Sequence, residues 1–408
     1  MRALLSTIGS RGDVQPLVAL GQALTSLGQE VRLCVPPDFC AWIDELGMPA
    51  VPIGPELRST GKGSLPETLT AERRREMIAG TVATQFTTIA AAAEGCDVIV
   101  GATALQIAAP SIAERMRVPY IFASYCPAVL PSARHAPPVL GWLGDEPVTL
   151  ADYTELWAKD AQRWNDMWLP LLNDNRAAIG LAPVDDVRSH VLTARPWLAS
   201  DPALAPWPDA ASEPVFQTGA WIVRDERPLA AEIERFLAAG DAPIYFGFGS
   251  IRATPDLARV MIESARAVGK RAILSRGWAE LALPDDAPDC LAIGEVNQQA
   301  LFARVAAVVH HGGAGTTTAA ARAGAPQVVV PQMYDQHYFA ARVNGLGIGT
   351  AHAPGAATTE SLTSALERTL QAEIAERARS LAAAMRGDGA TVAARRVVAE
   401  QARAAVSR

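Results

Sequence analysis

Apolar residues recur along the chain at two spacings, one typical of helices and one typical of buried strands. Leu17, Leu20, Leu24 and Leu27 lie three to four residues apart, which places four leucines on one face of a predicted helix. The short apolar run Leu4–Thr7 precedes them and predicts a strand. The chain therefore opens with a β-strand followed by a helix that packs on a sheet.

Strand-like and helix-like segments go on alternating through both halves of the chain, which is typical of parallel sheets covered by helices. In the first half the pattern predicts strands at Glu30–Val35, Asp97–Val100 and Tyr120–Ser124, and helices at Thr68–Ala93 and Ile107–Met116. In the second half it predicts strands, each followed by a helix, at Ile244–Ser250, Ala272–Ser275, Ala306–His310 and Gln327–Pro331. From Glu360 to about Ala404 the sequence is helical, with an interruption at Gly387 and Gly389.

A proline-rich break separates the two halves. Five prolines fall between residues 196 and 214, and proline continues neither a helix nor a central strand. We predict an α/β protein of two doubly wound, Rossmann-like domains, residues 1–205 and 222–385, joined by a linker at 206–221. Residues 386–408 are predicted as a C-terminal helix that crosses back to the first domain. Ligands of such sheets bind at the carboxyl ends of the strands, so the expected site is the cleft between the domains.

The clearest chemical motif is a glycine-rich turn between a predicted strand and a predicted helix. Residues His310–Thr316 read His-His-Gly-Gly-Ala-Gly-Thr. Glycines tolerate positive φ and let a ligand approach the backbone, and free N–H groups at a helix start bind phosphate. The turn lacks the Lys-Ser/Thr ending of a P-loop and departs from G-x-G-x-x-G. It indicates a diphosphate cradle, with close strand-to-helix packing as the alternative.

Two histidines stand immediately before the glycines. Because successive strand residues point to opposite faces, one of His310 and His311 can reach the cleft while the other packs in the core. Adjacent positions are poor spacing for two ligands of one metal. We expect His310 to donate a hydrogen bond to phosphate.

Two regions of the chain carry a family resemblance. The run His310–Thr316, with Pro331–Gln336 downstream, resembles the donor-binding signature of the GT-B glycosyltransferases that use nucleotide sugars. The run Gly9–Pro16 resembles the opening of the actinobacterial antibiotic-tailoring members and of sterol glucosyltransferases. Chain length and motif order are most similar to those of the glycopeptide-antibiotic glycosyltransferases. The resemblance covers essentially the whole length and implies the GT-B fold, with an acceptor-binding first domain and a nucleotide-sugar-binding second domain.

The resemblance implies a donor site in the second domain. Asp335 and Gln336 correspond to the pair that binds donor-sugar hydroxyls, and without the upstream turn Asp335 would read as a helix N-cap. Val296 and Gln298 lie in the loop that holds the nucleobase, where Glu295 stands in place of the stacking tryptophan of plant relatives. Trp278 is a second candidate for stacking, with core packing as the alternative. The implied phosphate contacts are His310, Ser250, Gly312, Gly313, Ala314, Gly315 and Thr316.

The first domain carries the candidate base. Sugar transfer with inversion needs a group that removes the acceptor hydroxyl proton, and family members with this opening motif use the aspartate that corresponds to Asp13. A helix cap is the alternative reading of Asp13. Ser10, Arg11 and Gly12 are expected to line the same part of the cleft.

Two loop-like segments of the first domain are candidates for the acceptor side. Pro127–Pro147, which includes Trp142, is too rich in proline to be a core element, and Pro55–Arg75 contains Gly61-Lys62-Gly63. Ordinary surface loops are the alternative for both.

Composition excludes several other classes of protein. A net charge of −7 without a basic stripe disfavours nucleic-acid partners, and no apolar run is long enough to span a membrane. The N-terminus lacks a secretory signal, so we expect a cytoplasmic protein, most simply a monomer. The five cysteines are scattered without metal-ligand spacing, so neither disulfides nor a metal site is expected. The adjacent acidic pairs Asp185-Asp186 and Asp285-Asp286 are expected to be solvated surface.

Together with these observations, the family resemblance implies an inverting, metal-independent glycosyltransferase without a cofactor. The resemblance also implies a dTDP- or UDP-sugar as the donor and a hydroxyl of an aglycone as the acceptor, here a glycopeptide antibiotic of the vancomycin or teicoplanin type. A sterol, macrolide or polyketide aglycone is the alternative acceptor. A nucleotide-sugar 2-epimerase shares the scaffold but does not need the Asp13 motif. A nicotinamide-dependent oxidoreductase is disfavoured by the first βα turn, and a non-catalytic sugar-nucleotide binder by the presence of both Asp13 and Asp335.

Overall fold

Two parallel β-sheets, each flanked by helices, form the protein. The computed structural model describes residues 1–58, 71–103, 105–140, 149, 152–209, 215–250, 256–353 and 356–406. Within these residues no helix is both long and apolar enough to cross a membrane.

The first domain contains a seven-stranded sheet in the order β3-β2-β1-β4-β5-β6-β7, with every neighbouring pair parallel. Its strands are β1 (Arg2–Ser6), β2 (Glu30–Val35), β3 (Ala50–Pro52), β4 (Val98–Ala102), β5 (Tyr120–Ser124), β6 (Trp197–Leu198) and β7 (Phe216–Gln217). Its helices are α1 (Arg11–Ser26), α2 (Cys40–Glu45), α3 (Ala71–Ala92), α4 (Ala109–Met116), α5 (Thr154–Ala178) and α6 (Val187–Leu192).

The second domain contains a six-stranded parallel sheet in the order β10-β9-β8-β11-β12-β13. Its strands are β8 (Ile244–Gly247), β9 (Ala272–Ser275), β10 (Cys290–Ile293), β11 (Ala307–His310), β12 (Gln327–Val329) and β13 (Gly349–Ala351). The helices that follow are α7 (Ala231–Ala238), α8 (Leu257–Ala267), α9 (Gln298–Phe302), α10 (Ala314–Arg322), α11 (Gln336–Gly345), α12 (Thr359–Thr369), α13 (Ala372–Ala384) and α14 (Gly389–Val406). The prediction of two doubly wound α/β domains is confirmed.

The first helix shows how the apolar pattern becomes packing. Leu17, Leu20 and Leu24 are fully buried against the sheet, as their helical spacing predicts. Leu27 is 37% exposed, so its prediction as a fourth core residue is wrong. It is the C-cap of α1, where the chain has already turned away from the sheet.

The region between the domains is more regular than the prolines predict. Strands β6 and β7 join the first sheet, which therefore extends to Gln217, inside the range 206–221 that we expected to be linker. Each strand is only two residues long, so the prolines beside it are not needed as donors in the ladder. In the second domain the helix expected after β9 is absent among the described residues, and an irregular loop of residues 276–289 leads into β10 instead.

The last helix returns to the first domain, as predicted. Helix α14 contacts α1, and its Ala393, Ala394 and Val397 are buried in the same cluster as the leucines of α1. At the start of α14 the backbone of Gly389 lies against that of Gly219, so the two connections between the domains touch where neither residue has a side chain.

A separate apolar cluster joins the domains below the cleft. Cys126 and Leu204 of the first domain pack with Val329 and Phe339 of the second. The Arg342 Nε donates a hydrogen bond to the Leu204 carbonyl at 2.9 Å. This packing holds the carboxyl ends of the two sheets toward one shared cleft.

Candidate active site

A cleft of about 1970 Å³ lies between the domains, and much of its wall is formed by residues that directly follow strands. Segments after β1, β4 and β5 contribute from the first domain, and segments after β8 to β12 from the second. This is the crevice that open parallel sheets use for ligands.

Asp13 lies on the first turn of α1, and its position is set by a capping box. The Ser10 backbone N–H donates to Asp13 Oδ2 at 2.6 Å, and the Ser10 hydroxyl donates to the same oxygen at 3.3 Å. A Cβ on Gly9 would overlap the Asp13 carboxylate, so only glycine fits there. Helix α1 begins at Arg11 with Ser10 as its N-cap, so Asp13 is not the cap residue itself but the third residue of the helix, which accepts a hydrogen bond from the cap. The same contacts hold its carboxylate at the wall of the cleft.

The surroundings of Asp13 favour its neutral form more than water does. Burial raises its pKa to about 6, and the hydrogen bonds from Ser10 oppose the rise. The Tyr125 hydroxyl donates to the Asp13 carbonyl at 2.9 Å, which ties the loop after β5 to α1. Near neutral pH the carboxylate is ionised while its pKa remains close to the working range of a general base.

The two histidines lie in different surroundings at the end of β11, but not in the expected way, since His310 is the last residue of the strand and His311 directly follows it. His310 is fully buried, and its Nε2 lies 2.9 Å from Gln327 Oε1. The Gly312 backbone N–H donates to His310 Nδ1 at 3.0 Å. Our assignment of His310 as the phosphate contact is wrong, because both ring nitrogens are used inside the core. Gly312 does not line the cleft either, and its N–H is already bonded.

His311 is the histidine that lines the cleft. Burial lowers its pKa to about 4, so near neutral pH the ring is uncharged and offers one N–H. Its Nδ1 is buried and has no hydrogen-bond partner among the residues that the structure describes. A Cβ on Gly313 would lie 2.5 Å from His311 Nε2, and one on Gly249 would lie 3.4 Å from His311 Cε1. Both glycines thus let the turns after β8 and β11 close around the ring.

The start of α10 faces the same space. The helix begins at Ala314 with Gly313 as its N-cap, so its first turn lies within the glycine-rich run. The Thr317 N–H donates to the Gly313 carbonyl. The N–H groups before it in the first turn have no acceptor within the helix. Ala314, Gly315 and Thr316 line the cleft, as does Ser250. A helix start of this kind binds anions through its N–H groups and its dipole.

Asp335 and Gln336 stand beside that helix start. Burial, and then repulsion by Asp13, raise the pKa of Asp335 to about 7, while a hydrogen bond from the Ala314 N–H opposes the rise. The Asp13 carboxylate thus lies close enough to disfavour the ionised form of Asp335. The Gln336 Oε1 accepts from the backbone N–H groups of Gln332 and Met333 at 2.8 and 3.2 Å. Only the amide NH₂ of Gln336 is therefore left to face a ligand.

Tyr334 connects this loop to the first domain. Its N–H donates to the Val139 carbonyl at 2.7 Å, and the two residues form an isolated β-bridge. Its φ of +57° is unusual for a tyrosine and lies in the left-handed region. The contact across the cleft thus holds the chain in a strained conformation directly before Asp335.

The loop after β10 forms another end of the cleft. Val296 and Gln298 line it, together with Glu295. Trp278 also lines the cleft, and it is partly buried against the core cluster of the first domain. Both readings of Trp278 therefore apply, because one part of the ring is packed and another part faces the cleft.

One face of α5 forms a wall that the sequence analysis missed. Trp157, Asp160, Trp164, Met167 and Trp168 follow one another at helical spacing, and all line the cleft. Three tryptophans and a methionine within twelve residues were the available signal. Their helical period made them look like ordinary core, since only the tertiary structure shows that this face is open.

The two proline-rich segments of the first domain reach the cleft in part. Pro138 and Leu140 line it from the segment Pro127–Pro147, while Trp142 lies outside the described residues. Arg58 lines it from the segment Pro55–Arg75, of which residues 59–70 are not described.

The structure thus brings most of the predicted site together. Apart from His310 and Gly312, every predicted site residue lines the one cleft, and His311 takes the place expected for His310. These residues are Ser10, Arg11, Gly12, Asp13, Ser250, Trp278, Val296, Gln298, Gly313, Ala314, Gly315, Thr316, Asp335 and Gln336.

Comparisons with known proteins agree with this geometry. Residues 3–133 match the glycosyltransferase family 28 N-terminal domain. Residues 270–402 match the C-terminal domain of erythromycin biosynthesis protein CIII-like proteins.

Full-length relatives are similar over nearly the whole chain. Vancomycin aglycone glucosyltransferase of Amycolatopsis orientalis is 49% identical over 97% of this chain and 96% of its own length. The dTDP-epi-vancosaminyltransferase of the same organism is 43% identical over 93% of this chain and 92% of its own length.

Solved structures share the fold. The glycotransferase of kitacinnamycin superimposes with a TM-score of 0.71 at 20% identity, covering 98% of each chain. Glycosyltransferase VinC in complex with dTDP has a TM-score of 0.65 at 20% identity and covers each chain completely. With the family models and the near-full-length relatives, this likeness shows that the chain belongs to the GT-B glycosyltransferases, in the group formed by family 28 and the erythromycin CIII-like enzymes.

Proposed function

We propose that this glycosyltransferase moves a hexose from a dTDP-sugar to a hydroxyl of a glycopeptide aglycone, with inversion at the anomeric carbon and without a metal ion. The observation that carries the proposal is the arrangement of the cleft. Asp13 stands on the wall of the first domain, and His311, the start of α10 and Asp335 stand on the wall of the second. A donor held by the second domain would present its sugar to an acceptor held by the first.

The proposed reaction is a single displacement. Asp13 takes the proton of the acceptor hydroxyl as that oxygen bonds to the anomeric carbon. The bond from this carbon to the diphosphate breaks at the same time, and the diphosphate leaves with the electron pair. Because the new bond forms on the face opposite the leaving group, the configuration inverts.

The leaving diphosphate is stabilised by hydrogen bonds rather than by a formal positive charge on the histidine. His311 is neutral near pH 7 and donates one N–H, and the amides of Gly315 and Thr316 in the first turn of α10 add theirs together with the helix dipole. Asp335 and the Gln336 NH₂ hold the sugar hydroxyls. Ser250, on the turn after β8, faces the diphosphate from the other side of His311.

The acceptor side suits a large aromatic molecule. Trp164, Met167 and Trp168 face the cleft from α5, and Leu105 and Met333 are 45% and 39% exposed there. Exposed apolar side chains in a concave site favour a ligand that covers them. One relative is named for glucosyl transfer to vancomycin aglycone and another for epi-vancosaminyl transfer, and the similarity to the first supports a glycopeptide acceptor.

The names of similar proteins also support thymidine diphosphate as the nucleotide. One relative is named for a dTDP-sugar, and a structural neighbour was solved with dTDP.

The proposal of a reaction without a metal ion concerns the cleft. Among the described residues, Asp285, Asp289 and Cys290 lie close enough together to share a cation, but this group is outside the lining of the cleft. Arg266 already pairs with both aspartates.

The test is a transfer assay with vancomycin-type aglycones and a panel of dTDP- and UDP-hexoses, followed by mass spectrometry. We expect a mass gain of one hexose, an inverted anomeric centre by NMR and an unchanged rate in EDTA. Transfer only to a sterol or macrolide would contradict the proposed acceptor. An epimerised nucleotide sugar without any glycoside would contradict transfer itself, and activity lost in EDTA and restored by a divalent ion would contradict metal independence.

A further inference from the structure

An ion pair crosses the cleft beside the candidate base. The Arg11 guanidinium, on the same helical turn as Asp13, lies 3.0 Å from Glu295 Oε1 in the loop after β10. This ion pair links the turn after β1 to the second domain. Glu295 directly precedes Val296, so the pair connects the loop that carries the base with the loop proposed to hold the nucleobase.

Both partners are held in place by their own domains. The Arg11 guanidinium stacks 4.4 Å above the Trp42 ring, and its Nε donates to Gln15 Oε1 at 3.2 Å. The Glu295 carboxylate also lies 3.5 Å from Arg227. These contacts reduce the side-chain freedom that usually makes an exposed ion pair weak.

Arg227 belongs to the same side of the cleft as Glu295. It pairs with Asp225 at 2.7 Å, and the Asn297 amide donates to the backbone carbonyls of both residues. Glu295 therefore has one partner within its own domain and one partner across the cleft. The chain thus supplies a matched control for the contact that joins the domains.

We propose that Arg11 and Glu295 form an interdomain clasp that brings the Asp13 turn against the nucleotide-binding loop, so that Arg11 is a positioning residue for the base. The inference rests on the proposed function, because it takes the loop after β10 as the nucleotide site. A nucleotide that orders this loop would also fix Glu295, and through Arg11 the turn that carries Asp13. Donor binding and base placement would then be coupled.

The test is a double-mutant cycle of Arg11→Ala and Glu295→Gln, with Arg227→Ala as the control. At low salt, each cycle variant should lower kcat/KM for the acceptor about two- to fivefold, the range of an exposed ion pair, and the double variant should lose no more than either single one. Arg227→Ala should lose less than about 1.5-fold. In about 0.5 M NaCl the difference between wild type and Arg11→Ala should shrink.

Small-angle scattering gives a readout that needs no substrate. Both cycle variants should have a larger radius of gyration than the wild type, and Arg227→Ala should match the wild type. Additive losses, or a radius of gyration unchanged in both cycle variants, would overturn the clasp. A much larger loss in Arg11→Ala than in Glu295→Gln would do the same and would assign Arg11 to the diphosphate. If the wild type transfers no sugar at all, the proposed function fails while the scattering series still decides the clasp.

Discussion

Replacing Asp13 by asparagine removes the proposed base while keeping its shape. The asparagine Oδ1 can still accept from the Ser10 backbone N–H, so the start of α1 stays capped. The amide cannot take a proton from the acceptor. We therefore expect the transfer rate to fall by about two to four orders of magnitude, the usual contribution of a general base.

The raised pKa of Asp13 gives the same substitution a second consequence, for stability. The pKa is about 6 in the folded protein against 3.8 for the unperturbed side chain. The folded state binds this proton more tightly than the unfolded state does, so the ionised carboxylate costs stability as the pH rises from below 4 to above 6. About two pKa units correspond to about 3 kcal/mol when the group is fully ionised, and to about 1 kcal/mol at pH 4.5. The substitution Asp13→Asn should therefore stabilise the protein by about 2 kcal/mol more at pH 8 than at pH 4.5.

Two measurements check this reasoning on the same variant. Chemical unfolding of wild type and Asp13→Asn at pH 4.5 and pH 8 gives the difference in unfolding free energy. The pH dependence of wild-type kcat/KM should show an acidic limb with an apparent pKa of about 6, because activity requires the ionised carboxylate. Calorimetry with dTDP serves as the control, since the proposed nucleotide site is on the other domain and the affinity should barely change.

Three outcomes would refute the reasoning. A variant that keeps more than about a tenth of the rate would show that Asp13 is not the general base. An equal stability gain at both pH values would show that burial does not disfavour its charge. Loss of dTDP binding would place Asp13 at the donor rather than at the acceptor.

Further predictions follow from the glycines and histidines of the fold. Gly9→Ala should lower kcat nearly as far as loss of the base, because its Cβ would displace the base's carboxylate, whereas Gly80→Ala, with nothing within 4 Å, should keep full activity. His311→Ala should weaken dTDP binding by about tenfold or more in calorimetry, since His311 lines the cleft and the substitution removes its proposed hydrogen bond to the charged diphosphate. His310→Ala should instead lower the unfolding free energy by about 1–3 kcal/mol, because it leaves the buried partners of the ring unpaired. Identical behaviour of the two histidine variants would contradict the assignment of His310 to the core and of His311 to the cleft. Gly389→Ala should destabilise by about 1–3 kcal/mol in urea unfolding, because its Cβ would press on the crossing backbone, and an unchanged midpoint would show that the crossing can separate freely.

The sequence alone was sufficient for the parts of this protein that depend on local physics. The spacing of Leu17, Leu20 and Leu24 predicts the buried face of α1, and the apolar runs predict the long strands, because burial follows the period of each element. The glycines after β11 predict a turn that a ligand can approach, because a backbone without Cβ atoms permits it. The order of the motifs along the chain then indicated the family.

The sequence did not predict the very short strands or the features that depend on contacts between distant parts of the chain. Strands β6 and β7 are two residues long and exist only because the sheet edge is there to pair with them. The open face of α5 has the same period as a buried one, so its role depends on what lies opposite.

The choice between His310 and His311 shows most clearly where prediction from the sequence ends and tertiary packing decides. Alternation along a strand predicts that two adjacent side chains point in different directions, and the sequence supports that expectation for His310 and His311. Which face meets the cleft depends on the register of β11 against β8 and β12, which buries His310 beside Gln327. Likewise, the pairing of Arg11 with Glu295 joins residues 284 positions apart, and only the packing of the two domains brings them together. Periodicity determined which residues share a face, and tertiary packing decided what each face meets.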